Sequence, residues 1–119
     1  MLFRFLSFPV YKEAKEFRRY SKNLLKKFPA SERFILINQI ARALDSICLN
    51  IAEGSNRTSD KDKAHFLNQA LTSLEEVVSG FDLANDDRYI TKEELIEILK
   101  RGETLGKQLI GFSKHLLNS

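Results

Sequence analysis

Cysteine is almost missing from this 119-residue chain: Cys48 stands alone, so no disulfide can form within it. That excludes the cross-linked framework of small secreted domains and points to a reducing, cytoplasmic setting. Cys48 lies among Ile47, Ile51 and Ala52 and reads as a buried, inert thiol rather than a nucleophile. Long hydrophobic runs are lacking too. Nothing approaches the roughly 20 apolar residues of a membrane span, and no membrane partner is expected. The apolar start over residues 1–8 is short, broken by Arg4, and has no small-residue cleavage site. No stretch alternates with period two, which excludes strands, and with them any Gly-rich phosphate loop that must follow a strand. No low-complexity tract interrupts the chain. At 119 residues, 43% apolar and 29% charged, it has the length and balance of one folded domain, 1–119.

What is present is helical periodicity. A first helix is expected over residues 9–27, with Ser7 as N-cap and Pro9 in the first turn, where its missing N–H costs nothing. Val10, Ala14, Phe17, Ser21, Leu24 and Phe28 draw its buried stripe, and Phe28-Pro29 ends it. A second helix is expected over 31–54, beginning near Ser31 and stopped by Gly54. Ile37, Ile40, Ala41, Leu44, Ile47, Cys48 and Ile51, flanked by Phe34, Leu36, Ala43 and Ala52, cover a wide arc of it, which suggests burial on two sides. A third, over 60–85, starts with a Ser59/Asp62 capping box, runs through Leu67, Ala70, Leu71, Leu74, Val77, Val78 and Phe81, and frays at Asn85-Asp86-Asp87. A fourth, over 92–117, repeats the capping signal with Thr91 and Glu94. Its Gly102 and Gly106 fall on the core face, where close approach of a neighbouring helix offsets their poor helix propensity of about 1 kcal/mol each. The pattern is all-α, an antiparallel up-down-up-down four-helix bundle.

Di-metal carboxylate enzymes use this architecture and need Glu-x-x-His pairs on two helices. Here His65 follows Asp62 at a helix start and His115 follows Phe112, so neither pair fits. No metal site, cofactor or catalytic residue is assigned, and a non-enzymatic role is expected. Charge is more informative. Residues 1–63 carry 13 Lys/Arg against 7 Asp/Glu, and residues 64–119 carry 6 against 9. Lys12, Lys15, Arg19, Lys22 and Lys26 recur at steps of three and four on one face of the first helix, with Arg18 beside them. Glu13 and Glu16 are placed elsewhere on its circumference. Such a stripe is either a solvated face or a contact for a phosphate backbone, blind to sequence because aromatic residues are few along it. A second polar set, Gln39, Arg42, Ser46, Asn50 and Glu53, lies opposite the apolar arc of the second helix. It reads as a solvated face or as a seam between subunits or a pore lining, with Asn50 and Glu53 pairing to Arg42 or Arg57 of another chain, and Ser73 and Glu76 as similar candidates on the third helix.

The block Asn50-Ile51-Ala52-Glu53-Gly54-Ser55, with Arg57, Ser59, Phe66-Leu67, Ala70, Ser73-Leu74 and Glu76, resembles the four-helix-bundle proteins encoded in bacterial 23S rRNA intervening sequences. Phe28-Pro29, Gln39-Ile40, Arg42-Ala43 and Ser46-Ile47 fit the same pattern. The resemblance implies a small bacterial bundle that assembles into a ring-like homopentamer and associates with RNA or DNA. A related bundle, the accessory protein of diversity-generating retroelements, is likewise pentameric and engages a reverse transcriptase and nucleic acid. This chain departs from the family pattern at Cys48, where proline is common, at Asn56 and Thr72, where glycine is usual, at Lys63, where an aromatic is usual, and at His65, where arginine is usual. The expected function is an oligomeric protein that contacts nucleic acid through its first helix; the alternative is a scaffold that recruits a protein partner such as a reverse transcriptase without touching nucleic acid itself.

Overall fold

A computed structural model describes residues 2–117; Met1, Asn118 and Ser119 lie outside the described residues. Among these, four α-helices account for the architecture: α1 Pro9–Leu25, α2 Leu36–Ser55, α3 Asp60–Asp86 and α4 Lys92–Leu117. No strand occurs among the described residues, and no helix there is long and apolar enough to cross a membrane.

Each helix packs against two neighbours, in the cyclic order α1, α2, α3, α4. Adjacent helices run antiparallel, as their paired positions show. Along α2 and α3, Ile40 meets Gly80, Ser46 meets Ser73 and Gly54 meets Leu67, one number rising as the other falls. Along α1 and α4, Phe8 stacks on Phe112, Phe17 approaches Gly102 and Lys27 pairs with Glu94. The sequence expectation of an up-down-up-down bundle is met. The core holds Phe17, Ile40, Leu44, Ile47, Ile51, Leu67, Val77, Phe81, Ile98, Leu105 and Leu109, all essentially inaccessible to water.

The helix ends differ from expectation in instructive ways. Ser7 does not cap α1. Its hydroxyl donates to the Arg4 carbonyl at 2.9 Å and closes a 3-10 turn, Arg4–Ser7, while Phe8 takes the cap position without a side-chain bond. α1 stops at Leu25 rather than Lys27, with the 3-10-type bonds of a tightening last turn. α2 begins five residues later than Ser31 suggested. Residues Ala30–Glu32 form a separate 3-10 turn, and the kink at Ile35 (φ −117°, ψ −96°) separates it from the helix. Gly54 is not a helix stop: α2 continues to Ser55, and Gly54 is buried where a Cβ would sit 3.3 Å from Leu67 and Phe66. Asn56 at the C-cap has φ −98°, so no left-handed residue is needed there.

The left-handed position is Arg88 (φ 64°) in the α3–α4 turn. The Tyr89 N–H donates to the Ala84 carbonyl at 2.9 Å and the Arg88 N–H to Asn85 at 3.0 Å, the paired bonds of a Schellman motif. The next start, Thr91/Glu94, forms the expected reciprocal box: the Glu94 N–H donates to Thr91 at 3.1 Å and the Thr91 N–H to the Glu94 carboxylate at 2.9 Å. At Ser59 only half of the box forms, the Asp62 N–H donating to its hydroxyl at 3.1 Å. The close helix approach expected at Gly102 and Gly106 occurs instead at Gly80. A Cβ there would lie 2.5 Å from Ile40 Cγ1, whereas at Gly102 and Gly106 the nearest atoms are 3.4 and 3.5 Å away.

Candidate functional site

The basic stripe is a real feature of α1, but its members are not equivalent. Positions 18 and 22 lean toward α2, where Arg18 Nε lies 2.7 Å and Lys22 Nζ 3.1 Å from the same Asp45 oxygen. Burial pushes the Asp45 carboxyl up, yet the hydrogen bonds from Arg18 and Lys22 outweigh it and hold it below the usual carboxylate range. The same bond holds Arg18 in its charged form. Arg19 pairs with Glu16 one turn earlier, so Glu16 borders the stripe rather than lying elsewhere on the helix. Lys15 sits 5.2 Å from the centre of the Tyr11 ring, a cation–π contact. Lys12 and Lys26 are exposed, and with Lys15 they take part in no ion pair among the described residues. The outward face of α1 therefore presents Lys12, Lys15, Arg19 and Lys26 over about 21 Å of helix, and Arg18 and Lys22 are tied into the α1–α2 seam.

Cys48 lies on that seam beside Tyr11, Lys15, Arg18 and Leu49. Burial pushes its thiol up, which suits the expected inert role. Among the described residues no three His, Cys, Asp or Glu side chains gather where they could hold a metal ion, and the two histidines are exposed.

The polar set of α2 divides. Ser46 turns to α3, where the Ser73 hydroxyl donates to it at 2.8 Å, and Asn50 Nδ2 donates to the Ser46 carbonyl at 2.8 Å and hydroxyl at 2.9 Å. These form a half-buried network within the bundle, not a solvated face. Gln39, Arg42 and Glu76 stay at the surface and line a groove of about 440 Å³ between α2 and α3, with Ile35, Ser46 and Ser73. Neither Arg42 nor Glu76 is in an ion pair among the described residues. Glu53 pairs with Arg57, whose guanidinium also lies over the Phe66 ring at 5.0 Å. With Gly54 admitting Leu67 against the backbone, residues 50–57 lock the α2–α3 hinge.

The model of the 23S rRNA-intervening sequence protein family matches residues 7–111. The chain belongs to this family. Among solved structures it is similar to a protein of unknown function from the S23 ribosomal protein family of Bacteroides thetaiotaomicron VPI-5482. The two are 30% identical, superpose with a TM-score of 0.79, and the match covers 88% of this chain and 98% of the other. No curated protein matches.

In this member of the 23S rRNA-intervening sequence protein family, the surface holds features the sequence pattern did not single out. Phe34 is 84% exposed and Ile35 67%, against the expectation that Phe34 flanks the buried arc. The late start of α2 places both outside the helix, Ile35 lining the α2–α3 groove, and Leu83 of α3 is 53% exposed. Asp45 was also missed as the partner of two stripe cations. Spacing along α2 does not reveal this role, because it does not say which helix stands alongside.

Proposed function

We propose that this chain is a non-enzymatic, self-associating cytoplasmic bundle that contacts the phosphate backbone of RNA or DNA through the outward face of α1. The observation that carries the reading is the row of Lys12, Lys15, Arg19 and Lys26, three of them without an acidic partner. Like charges at these spacings repel by a few tenths of a kcal/mol per pair, and a polyanion removes that cost and gains from counterion release. Arg19 can exchange an exposed carboxylate for a phosphate at little loss, since such surface pairs are worth at most about 1 kcal/mol.

Self-association is proposed across the α2–α3 face, with Arg42 of one protomer meeting Glu76 of the next beside the exposed Phe34 and Ile35; a pentamer is the expected assembly. A second reading, a scaffold that recruits a protein partner such as a reverse transcriptase, draws on the same exposed aromatic. Fluorescence anisotropy with duplex DNA and with RNA, titrated across salt, separates the two. Four phosphate contacts give a log–log slope of about −3.6 per protomer on duplex, and Lys12→Gln/Lys15→Gln/Lys26→Gln reduces it to about −1. Equal affinity and slope for parent and variant would refute the α1 assignment. Light scattering on Phe34→Ser and Arg42→Glu tests the interface: a particle mass unchanged from the parent removes it.

A further inference from the structure

The half of the bundle opposite in charge to α1 carries its own surface feature. Between α3 and α4 runs an open trough of about 680 Å³. Its floor is apolar: Leu74 and Val78 from α3, and Leu99 and the bare backbone of Gly102 from α4. Leu99 is 44% exposed, and Ile96, one turn earlier on the same side of α4, is 55% exposed. Its rim is acidic. Glu75 and Asp82 stand two turns apart on α3, about 10 Å along the axis, and Glu103 faces them from α4. Among the described residues, no lysine or arginine lines the trough. Glu103 has a single, largely exposed partner, Lys107 at 3.4 Å, and Glu75 and Asp82 are in no ion pair among the described residues.

An apolar floor with an unneutralised acidic rim selects its occupant. Nucleic acid and anionic lipid are repelled by the three carboxylates. A purely cationic chain would satisfy the rim and leave Leu99 and Ile96 wet. The shape is an elongated groove between two antiparallel helices, the form that accepts a third helix by its i, i+3, i+4, i+7 side chains. We infer that the α3–α4 trough docks a cationic amphipathic helix of a partner protein, its apolar side chains over Leu74, Val78 and Leu99 and its lysines or arginines against Glu75, Asp82 and Glu103. Neither the α1 cations nor the groove residues around Arg42 and Glu76 line this trough.

The test uses the full chain and a fluorescent leucine–lysine peptide about 18 residues long, with leucines at i, i+3, i+4 and i+7, against a scrambled peptide of the same composition. Anisotropy and circular dichroism are expected to show saturable binding with a gain in helicity, at least tenfold tighter than for the scrambled peptide. Glu75→Gln/Asp82→Asn/Glu103→Gln and, separately, Leu99→Ser each weaken it at least fivefold, with helicity and melting of the protein unchanged. All these positions are at the surface, so folding is not at stake. Equal binding of the scrambled peptide, no saturable binding, or indifference to both variants overturns the inference. So does a particle mass that falls in the acidic-rim variant without peptide binding by the parent, which would assign the trough to a second copy of this chain.

Discussion

Replacing Gly80 by alanine tests the central packing claim, that α2 and α3 are held closest where a glycine faces an isoleucine. An added Cβ would lie 2.5 Å from Ile40 Cγ1 and 2.8 Å from its Cδ1. Ile40 is 1% exposed and cannot swing out to solvent. Overpacking of this kind costs about 1–3 kcal/mol, while the better helix propensity of alanine returns about 1 kcal/mol. The expected net effect is a loss of up to about 2 kcal/mol. Gly102→Ala and Gly111→Ala provide the controls. At Gly102 the nearest atom, Val78 Cγ2, is at an ordinary contact distance of 3.4 Å, and at Gly111 nothing lies within 4 Å. Both are expected to gain up to about 1 kcal/mol from propensity alone. Urea unfolding at fixed protein concentration reads all three as midpoint shifts at constant slope. In a double-mutant cycle, Ile40→Ala costs less in the Gly80→Ala background than in the parent, because it removes the clashing atoms. A Gly80→Ala protein more stable than the parent, or a cycle with no coupling, would refute the reasoning.

Two further outcomes follow from the ion pairs and caps. Asp45→Asn removes the shared partner of Arg18 and Lys22; with Asp45 46% exposed the pairs are worth at most about 1 kcal/mol. Because the folded carboxyl titrates below its unfolded value of about 3.9, that stability is fully present above it and is lost as pH falls through the folded value. The gap between parent and variant in urea midpoints should therefore hold steady near neutrality and shrink below about pH 4; a gap that is unchanged or widens in acid counts against the pairing. Thr91→Ala, which breaks a reciprocal box, should cost about 1 kcal/mol and more than Ser59→Ala, whose box is half formed. The reverse order in thermal melts would contradict the cap geometry.

The 3.6-residue period of the apolar positions was enough to read four helices and their core from the amino-acid sequence, because burial of one stripe per helix is a local property of spacing. Family membership was legible at the same level, through residues 50–57 and their companions on α3. Boundaries were less so. Ser31 and Gly54 look like a start and a stop, yet the chain kinks at Ile35 and continues through Gly54, since neighbouring helices decide which backbone conformations are worth keeping.

The surface was legible only in outline. Spacing on α1 placed six cations on one side, but it could not say that two of them share Asp45 on another helix, 27 and 23 residues away. Likewise Ser46 and Asn50 read as polar and outward, and became an internal network only once Ser73 stood opposite. The close approach at Gly80, the exposure of Phe34 and the acidic trough over Leu99 belong to tertiary structure for the same reason. Each depends on which residue of a distant helix fills the space alongside, and a single helix period carries no information about its neighbour.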